Sequence, residues 1–409
     1  MKKNFLNWMT IVMVTIVSVG FTSCGDDDEP KDVNKTDETA DVIEKDGVLQ
    51  VNVKTAGDFA TLIGETRKYQ TGKLKVSGFI NGEDFRCIRD MMITANGGRL
   101  EYLDMSDASI VAGGGSFILN DNTGKYDDDD YKTQYNFISE SMFEDCDAIQ
   151  ELILPNSVVR ISHYMFGYAF DSNIRSITIG RSTVGSIDHD EDDVLGALAW
   201  MDKLEEINVH ADNPKFASDK EIMYNKDKSI LYNVPPMYKN SLSFPNSLQT
   251  IAGFAFRGYA ASSIKLPSSV KKLENRAFMY SEIKSIDIGS VSEIGEDVFF
   301  GCKKTENIVL PELITRIPRS TFCLCTALSS ITIPQSVRFI GKYAFESCDN
   351  LRNIYMESST PPIGDLDVKS CNDVFSLTSY KSINLYVPKG SKSKYLATIP
   401  WSELNIIEK

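Results

Sequence analysis

Histidine is scarce. The 409-residue chain carries three, His163, His189 and His210, and none has an acidic or serine partner at a recognisable spacing. That argues against a histidine-based triad or metal site. Tryptophan is as rare, and past the first residues only Trp200 and Trp401 remain, so the exposed aromatic platforms on which sugars usually rest are in short supply. Basic charge is outweighed, with 43 Lys and Arg against 57 Asp and Glu and a net charge of −14. No basic stripe interleaved with aromatics offsets it, and such a chain repels phosphate, so nucleic acid is not an expected partner. The apolar run from Ile11 to Val19 falls well short of the roughly 20 residues that span a bilayer. Gly113-Gly-Gly115 lacks the following lysine and helix of a phosphate loop and reads as a turn. Two acidic runs, Asp127 to Asp130 and Asp188 to Asp193, raise the question of calcium. In the second, Asp193 stands where a calcium loop needs glycine and Ala199 where it needs glutamate, so both read as solvated insertion loops.

What the chain has in plenty is one unit written repeatedly. Between Ile286 and Met356 the anchors Phe299, Phe322 and Phe345 stand 23 residues apart. Ile294, Ile317 and Ile340 precede them by five residues, and Cys302, Cys325 and Cys348 follow by three. Apolar triads, Ile308 to Leu310 and Ile331 to Ile333, fall between the anchors and are closed by Pro311 and Pro334. A fixed period of this length predicts a solenoid. One unit holds too few large apolar side chains to offset the entropy of ordering it, and stacking supplies the missing burial. Within each triad the first and third residues are expected to point inward and the middle one outward. Because the regular units from Ile264 to Met356 keep constant length, their strands are expected to form an unbroken parallel sheet.

The composition, 42% hydrophobic and 24% charged, is that of an ordered chain. Residues 1–23 read as a signal peptide: Lys2 and Lys3, the short apolar run, then Phe21-Thr-Ser before Cys24. That ending resembles a bacterial lipobox, which implies that Cys24 is lipidated. Asp26, Asp27, Asp28 and Glu29 follow, and an acidic stretch there resembles the export signal that sends lipoproteins of Bacteroidota to the outer cell surface. Residues 24–46 read as a flexible acidic tether, with ten acidic and three basic residues between positions 25 and 46. Loss of Lys2 and Lys3 with the signal peptide takes the charge from −14 to −16.

Residues 47–136 read as an α/β cap over the first layer of the solenoid. Thr55 and Asp58 suggest a capping box for one short helix; Asn81-Gly82 opens a second, and Asn96-Gly97-Gly98 ends it. The solenoid spans 137–380, with triads at Leu152 to Leu154, Ile177 to Ile179, Ile207 to Val209, Leu242 to Phe244, Ile264 to Leu266 and Ile286 to Ile288. Between Asn213 and Pro236, alternation on both sides of Asn225-Lys-Asp-Lys228 predicts a hairpin insertion. Residues 381–409 read as the C-terminal cap, which one tryptophan is expected to plug.

The pattern Ile-x-Leu-Pro-x-Ser-Val-x-x-Ile/Leu-x-x-x-Ala-Phe-x-x-Cys, fullest from Ile331 to Cys348 and partial from Ile264 to Phe278, resembles the BspA-type leucine-rich repeat. Leu385-Tyr-Val-Pro-Lys-Gly390 through Ile407 is similar to the closing segment of surface lipoproteins with such repeats. The resemblance implies a repeat solenoid with a parallel β-sheet face. It further implies a cell-surface protein tied to adhesion and to host or interbacterial contact, and it brings no catalytic residue, cofactor or metal.

Seven cysteines accompany Cys24. A metal ladder through Cys302, Cys325 and Cys348, with Cys323 completing a Cys-x-Cys, competes with buried free thiols. The equivalent residues Ala169, Tyr259 and Ser281 favour thiols, since the turn accepts residues that bind no metal. The outward middle residues of the triads make a flat, mixed surface, and Lys265, Asp287, Val309, Thr332 and Tyr355, joined by Tyr386, are the candidate ligand-binding residues. The expected function is a non-enzymatic lipoprotein, anchored in the outer membrane and exposed on the cell surface, that binds a protein ligand. A glycan-binding lipoprotein and an undetected enzyme are the alternatives.

Overall fold

The computed structural model describes residues 41–119, 125–126, 131–167, 172–185, 198–376 and 380–409. Cys24, Asp26 to Glu29, the two acidic runs and His189 lie outside them. Residues 41–409 form a compact unit of their own.

In the first part of that unit, the antiparallel strands Val42–Lys45 and Val48–Val53 lead into a parallel sheet. Its further strands are Lys73–Ile80, Tyr102–Ile110, Glu151–Ile153, Ser176–Ile179 and Glu206–Val209, adjacent in that order. Val42–Lys45, within the stretch read as tether, is a strand, because it has a partner strand and Val42 packs against the core. The helices α1 (Phe59–Lys68) and α2 (Gly82–Met92) bury Phe59, Ile63, Phe85, Ile88, Met91 and Met92 in the same core.

The capping box expected at α1 is not there. Asp58 is the N-cap but makes no side-chain cap bond. The box forms at α2, where Asn81 accepts from the N–H groups of Glu83 and Asp84, and Asp84 accepts in return from Asn81 N–H. The buried Asp84 also reaches across to α1, accepting from Gly57 N–H at 2.7 Å and Phe59 N–H at 2.9 Å. One carboxylate therefore serves the N-termini of both helices, where the unpaired N–H groups and the helix dipoles favour negative charge.

Between Asn213 and Pro236 the chain turns back twice: Phe216–Asp219, Ile222–Asn225 and Ile230–Asn233 form an antiparallel ribbon. The second hairpin is the one predicted around Asn225. The first turns at Lys220 and Glu221, both at positive φ, which neither residue type announces in sequence. The ribbon lies at the junction of two hydrophobic cores, giving Met223 and Tyr232 to the first and Tyr224 and Leu231 to the second. Its last strand pairs with Thr250–Ile251. The triad Leu242 to Phe244 consequently forms no strand, having no preceding parallel neighbour, and it packs Leu242 and Phe244 against the second core instead.

In the regular coils that follow, each unit supplies a triad strand and a second short strand. The triad strands Ile264–Lys265, Ser285–Asp287 and Asn307–Val309 form one parallel sheet, and Ser330–Ile333, Asn353–Met356, Asn384–Val387 and Asn405–Glu408 form another. The expected unbroken sheet is thus divided between Val309 and Ser330. Strands of two to four residues contribute few ladder bonds each, so stacking of the buried side chains carries the solenoid across the gap.

The second strands build a ladder that the triads did not announce, from Thr250–Ile251 through Lys272–Leu273 to Glu293–Ile294 and again from Arg316–Ile317 through Phe339–Ile340 to Ile363–Gly364. A third set of bonds joins the anchors. The N–H groups of Phe256, Phe278, Phe299 and Phe322 each donate to the carbonyl just before the next anchor, at Ala277, Val298, Thr321 and Ala344. This holds the rings in a column. Centroid separations are 4.5 Å for Phe256 to Phe278, 5.4 Å to Phe299, 5.7 Å to Phe322 and 5.2 Å to Phe345. The column continues to Phe375 at 5.6 Å and ends on Trp401, whose indole N–H donates to Pro362 C=O.

Candidate strand face and the thiol column

The three regularly placed cysteines stand beside the phenylalanine column. Cys302 Sγ donates to Phe278 C=O at 3.0 Å, Cys325 to Phe299 C=O at 3.2 Å and Cys348 to Phe322 C=O at 3.0 Å. Each thiol therefore satisfies a buried carbonyl of the coil before it, a task that needs a small donor rather than a metal. All seven cysteines among the described residues are buried thiols. Burial pushes the Cys146 and Cys323 thiols up to about 12, and Cys348 is raised by the same cause, which keeps these thiols protonated at neutral pH. Among the described residues no group of three metal-ligating side chains occurs. Excess chelator is expected to leave the thermal melting curve unchanged, whereas a large loss of stability would reinstate a thiolate metal site.

His210 Nδ1 accepts from Asp212 N–H at 3.1 Å, and His163 lies with its ring centroid 4.7 Å from that of Tyr164. Trp200 carries the Arg257 guanidinium over its ring at 3.9 Å and meets the Phe254 ring at 6.2 Å, so its ring is engaged within the fold.

On the triad strands the expected alternation holds. Ile308 and Leu310 are buried while Val309 between them is 47% exposed. Ile331 and Ile333 are buried around an exposed Thr332. The candidate face is brought together in two groups. Lys265 pairs in register with Asp287, their charged groups 3.0 Å apart, and Asp287 pairs with Val309. Beyond the division, Thr332, Tyr355 and Tyr386 are aligned in register. The two tyrosine rings stack, 4.8 Å apart at 16°, half-buried, with Lys409 Nζ 4.9 Å from the Tyr355 centroid. The alternation alone placed these residues outward. The stacking and the lysine were not legible, because they depend on the register of the last two strands, which lie outside the 23-residue period.

Further toward the N-terminus the same face is small and polar, with Thr178 and Asn208 aligned next to Ile153. Ser243 is not on a strand and accepts from Lys220 Nζ at 2.8 Å. No helix among the described residues is long and apolar enough to cross a membrane.

The model of the BspA type leucine-rich repeat region matches this chain in six copies, over residues 121–190, 237–352 and 276–389, together more than half of its length. Several solved structures are similar in fold. A leucine-rich repeat protein from Eubacterium ventriosum is 15% identical, covering 91% of this chain and 92% of that one, with a TM-score of 0.45. One from Bacteroides ovatus is 17% identical, covering 92% and 97%, with a TM-score of 0.43. The pneumococcal vaccine antigen PcpA is 16% identical, covering 83% and 79%, with a TM-score of 0.46. No curated protein matches the chain. The repeat written in the sequence, the parallel ladders it builds and the family match agree: this chain belongs to the BspA-type leucine-rich repeat family.

Proposed function

We propose that this is a non-enzymatic, lipid-anchored surface protein whose strand face binds a protein ligand. The observation that supports it most directly is the in-register row Thr332, Tyr355 and Tyr386. A rigid sheet offers contacts without an ordering cost, and tyrosine is enriched among residues that dominate binding energy. Tyr355→Ser with Tyr386→Ser is expected to weaken attachment to the partner at least tenfold, about 1.4 kcal/mol, with an unchanged circular dichroism spectrum. The partner would be captured with the chain from host extracellular matrix and bacterial surface extracts. Undiminished capture by a folded double variant would move the site off this face. The stacked tyrosines also favour a second reading, a glycan ligand, and a glycan array separates the two.

The address rests on Cys24. Acyl chains there would hold the protein on a membrane, each buried methylene adding about 0.8 kcal/mol. Cys24→Ala is expected to release the protein into the soluble fraction. Neutralising Asp26 to Asp28 is expected to leave it membrane-bound but shielded from external protease. A Cys24→Ala protein that stayed on the membrane would rule out the lipid anchor.

A further inference from the structure

The division of the triad ladder opens a cleft of 260 Å³ between the Asn307–Val309 and Ser330–Ile333 strands. Val309 borders it on one side and Tyr355 on the other, with the smaller Thr332 between them, and Glu312 and Glu357 stand at its end just past their strands. We propose that this cleft receives a lysine or arginine side chain presented by a partner protein, its stem between Val309 and Tyr355 and its charged head on Glu312 and Glu357. The inference rests on the reading that the strand face binds protein, and it names the feature that the partner must present.

Three observations favour a cation over other occupants. First, Glu312 and Glu357 line the same cleft, and hydrogen bonding and charge from Glu357 raise the pKa of Glu312. Two like charges this close repel unless a proton or a cation joins them. Second, among the described residues neither glutamate takes part in an ion pair, whereas Asp287 on the same face already has Lys265 at 3.0 Å. The chain as a whole is acidic, at −14, and among the described residues Lys409, whose ammonium stands over Tyr355, makes no ion pair with either glutamate. Third, the rest of the cleft suits a long amphipathic side chain, which lays an apolar stem on apolar surface and keeps its head polar. Val309 is 47% exposed there and supplies such a surface. Tyr355 supplies a ring, and that ring already holds the Lys409 ammonium 4.9 Å from its centroid. A simple anion is repelled by the glutamates, and a plain apolar side chain leaves their repulsion unrelieved.

The test uses the full chain in detergent and three immobilised glycine-serine peptides that differ at one central residue, lysine, arginine or norleucine. The lysine and arginine peptides are expected to bind about two- to fivefold tighter than the norleucine peptide, the range that a charge pair at an exposed site supplies. Glu312→Gln with Glu357→Gln is expected to abolish that preference while the melting curve stays put. Equal retention of the three peptides by the wild type, or a preference that survives in the double glutamine variant, would overturn the assignment. Capture of the natural partner then separates the two readings. If the Tyr355→Ser, Tyr386→Ser protein loses the partner while the double glutamine protein keeps it, the strand face stands and the cleft falls. If both variants keep it, both readings fall.

Discussion

Replacing Phe322 with alanine is expected to cost the fold about 3 to 5 kcal/mol, the range for deleting a fully buried aromatic. Phe322 is completely buried, and it is the middle ring of a column, with Phe299 at 5.7 Å and Phe345 at 5.2 Å, both nearly parallel to it. The cavity would be hard to close. The backbone on either side is tied to both neighbouring coils, through Phe299 N–H on Thr321 C=O and through Phe322 N–H on Ala344 C=O, so the coils cannot slide together to fill it. Phe322→Leu keeps most of the volume and is expected to lose much less. Because a repeat protein need not unfold in one step, the loss is best measured as a shift of the denaturation midpoint together with hydrogen exchange along the chain. The coils on both sides of position 322 should lose protection together. A Phe322→Ala protein as stable as the wild type would mean that the column is not what joins the coils.

From Phe299 to Phe345 the column was legible because its signal is strictly local and repeated: phenylalanine at a constant interval, isoleucine five residues before and cysteine three after. The role of the cysteines was half legible. Their register pointed to buried thiols, but only the fold shows each one bonded to the carbonyl of the preceding anchor. Other features left no readable trace. Two residues before and two residues after each regular anchor, the backbone is left-handed, at Phe254, Arg276, Asp297, Ser320 and Tyr343 and at Gly258, Tyr280, Gly301, Leu324 and Ser347. Only Gly258 and Gly301 are the residue type that marks such a conformation. Elsewhere the bonds between coils hold a residue against its own preference, as with Tyr280 N–H on Phe300 C=O and Leu324 N–H on Glu346 C=O. Local sequence carries no sign of constraints imposed by the next coil.

The candidate face divides in the same way. Outward placement of Lys265, Val309, Thr332 and Tyr355 follows from alternation and could be read from the triads. The division of the ladder beside Val309 could not, since the unit on each side keeps the regular length and the same closing proline. Nor could the meeting of Glu312 and Glu357 at one cleft, since they stand 45 positions apart, shortly past strands two coils apart. The first part of the chain misled for a related reason. Thr55 and Asp58 have the spacing of a capping box, yet the carboxylate that serves α1 comes from Asp84 in the next helix.

That substitution of one carboxylate for another makes Asp84 the position where a single polar change should do most harm. Asp84→Ala is expected to destabilise the first part of the fold by about 3 kcal/mol or more. The carboxylate accepts from Gly57, Phe59 and Asn81 N–H at 2.7, 2.9 and 2.9 Å, and a hydrogen bond to a charged group is worth about 1.5 to 3 kcal/mol. Asn81 and Phe59 are buried, so water is poorly placed to replace the lost acceptor, and each orphaned N–H bears its own desolvation cost. The loss of negative charge between two helix N-termini adds to this. Asp84→Asn provides the informative comparison. Its amide oxygen can take the place of the oxygen that accepts from Gly57 and Asn81, but its NH₂ group then faces the Phe59 N–H, so one of the three donors stays unpaired. The asparagine variant should therefore fall between the alanine variant and the wild type. Hydrogen exchange would locate the damage, with α1 and α2 losing protection while the coils from Ile264 onward keep theirs. If Asp84→Ala melts with the wild type, the helices are held by their apolar faces alone and the shared carboxylate is incidental.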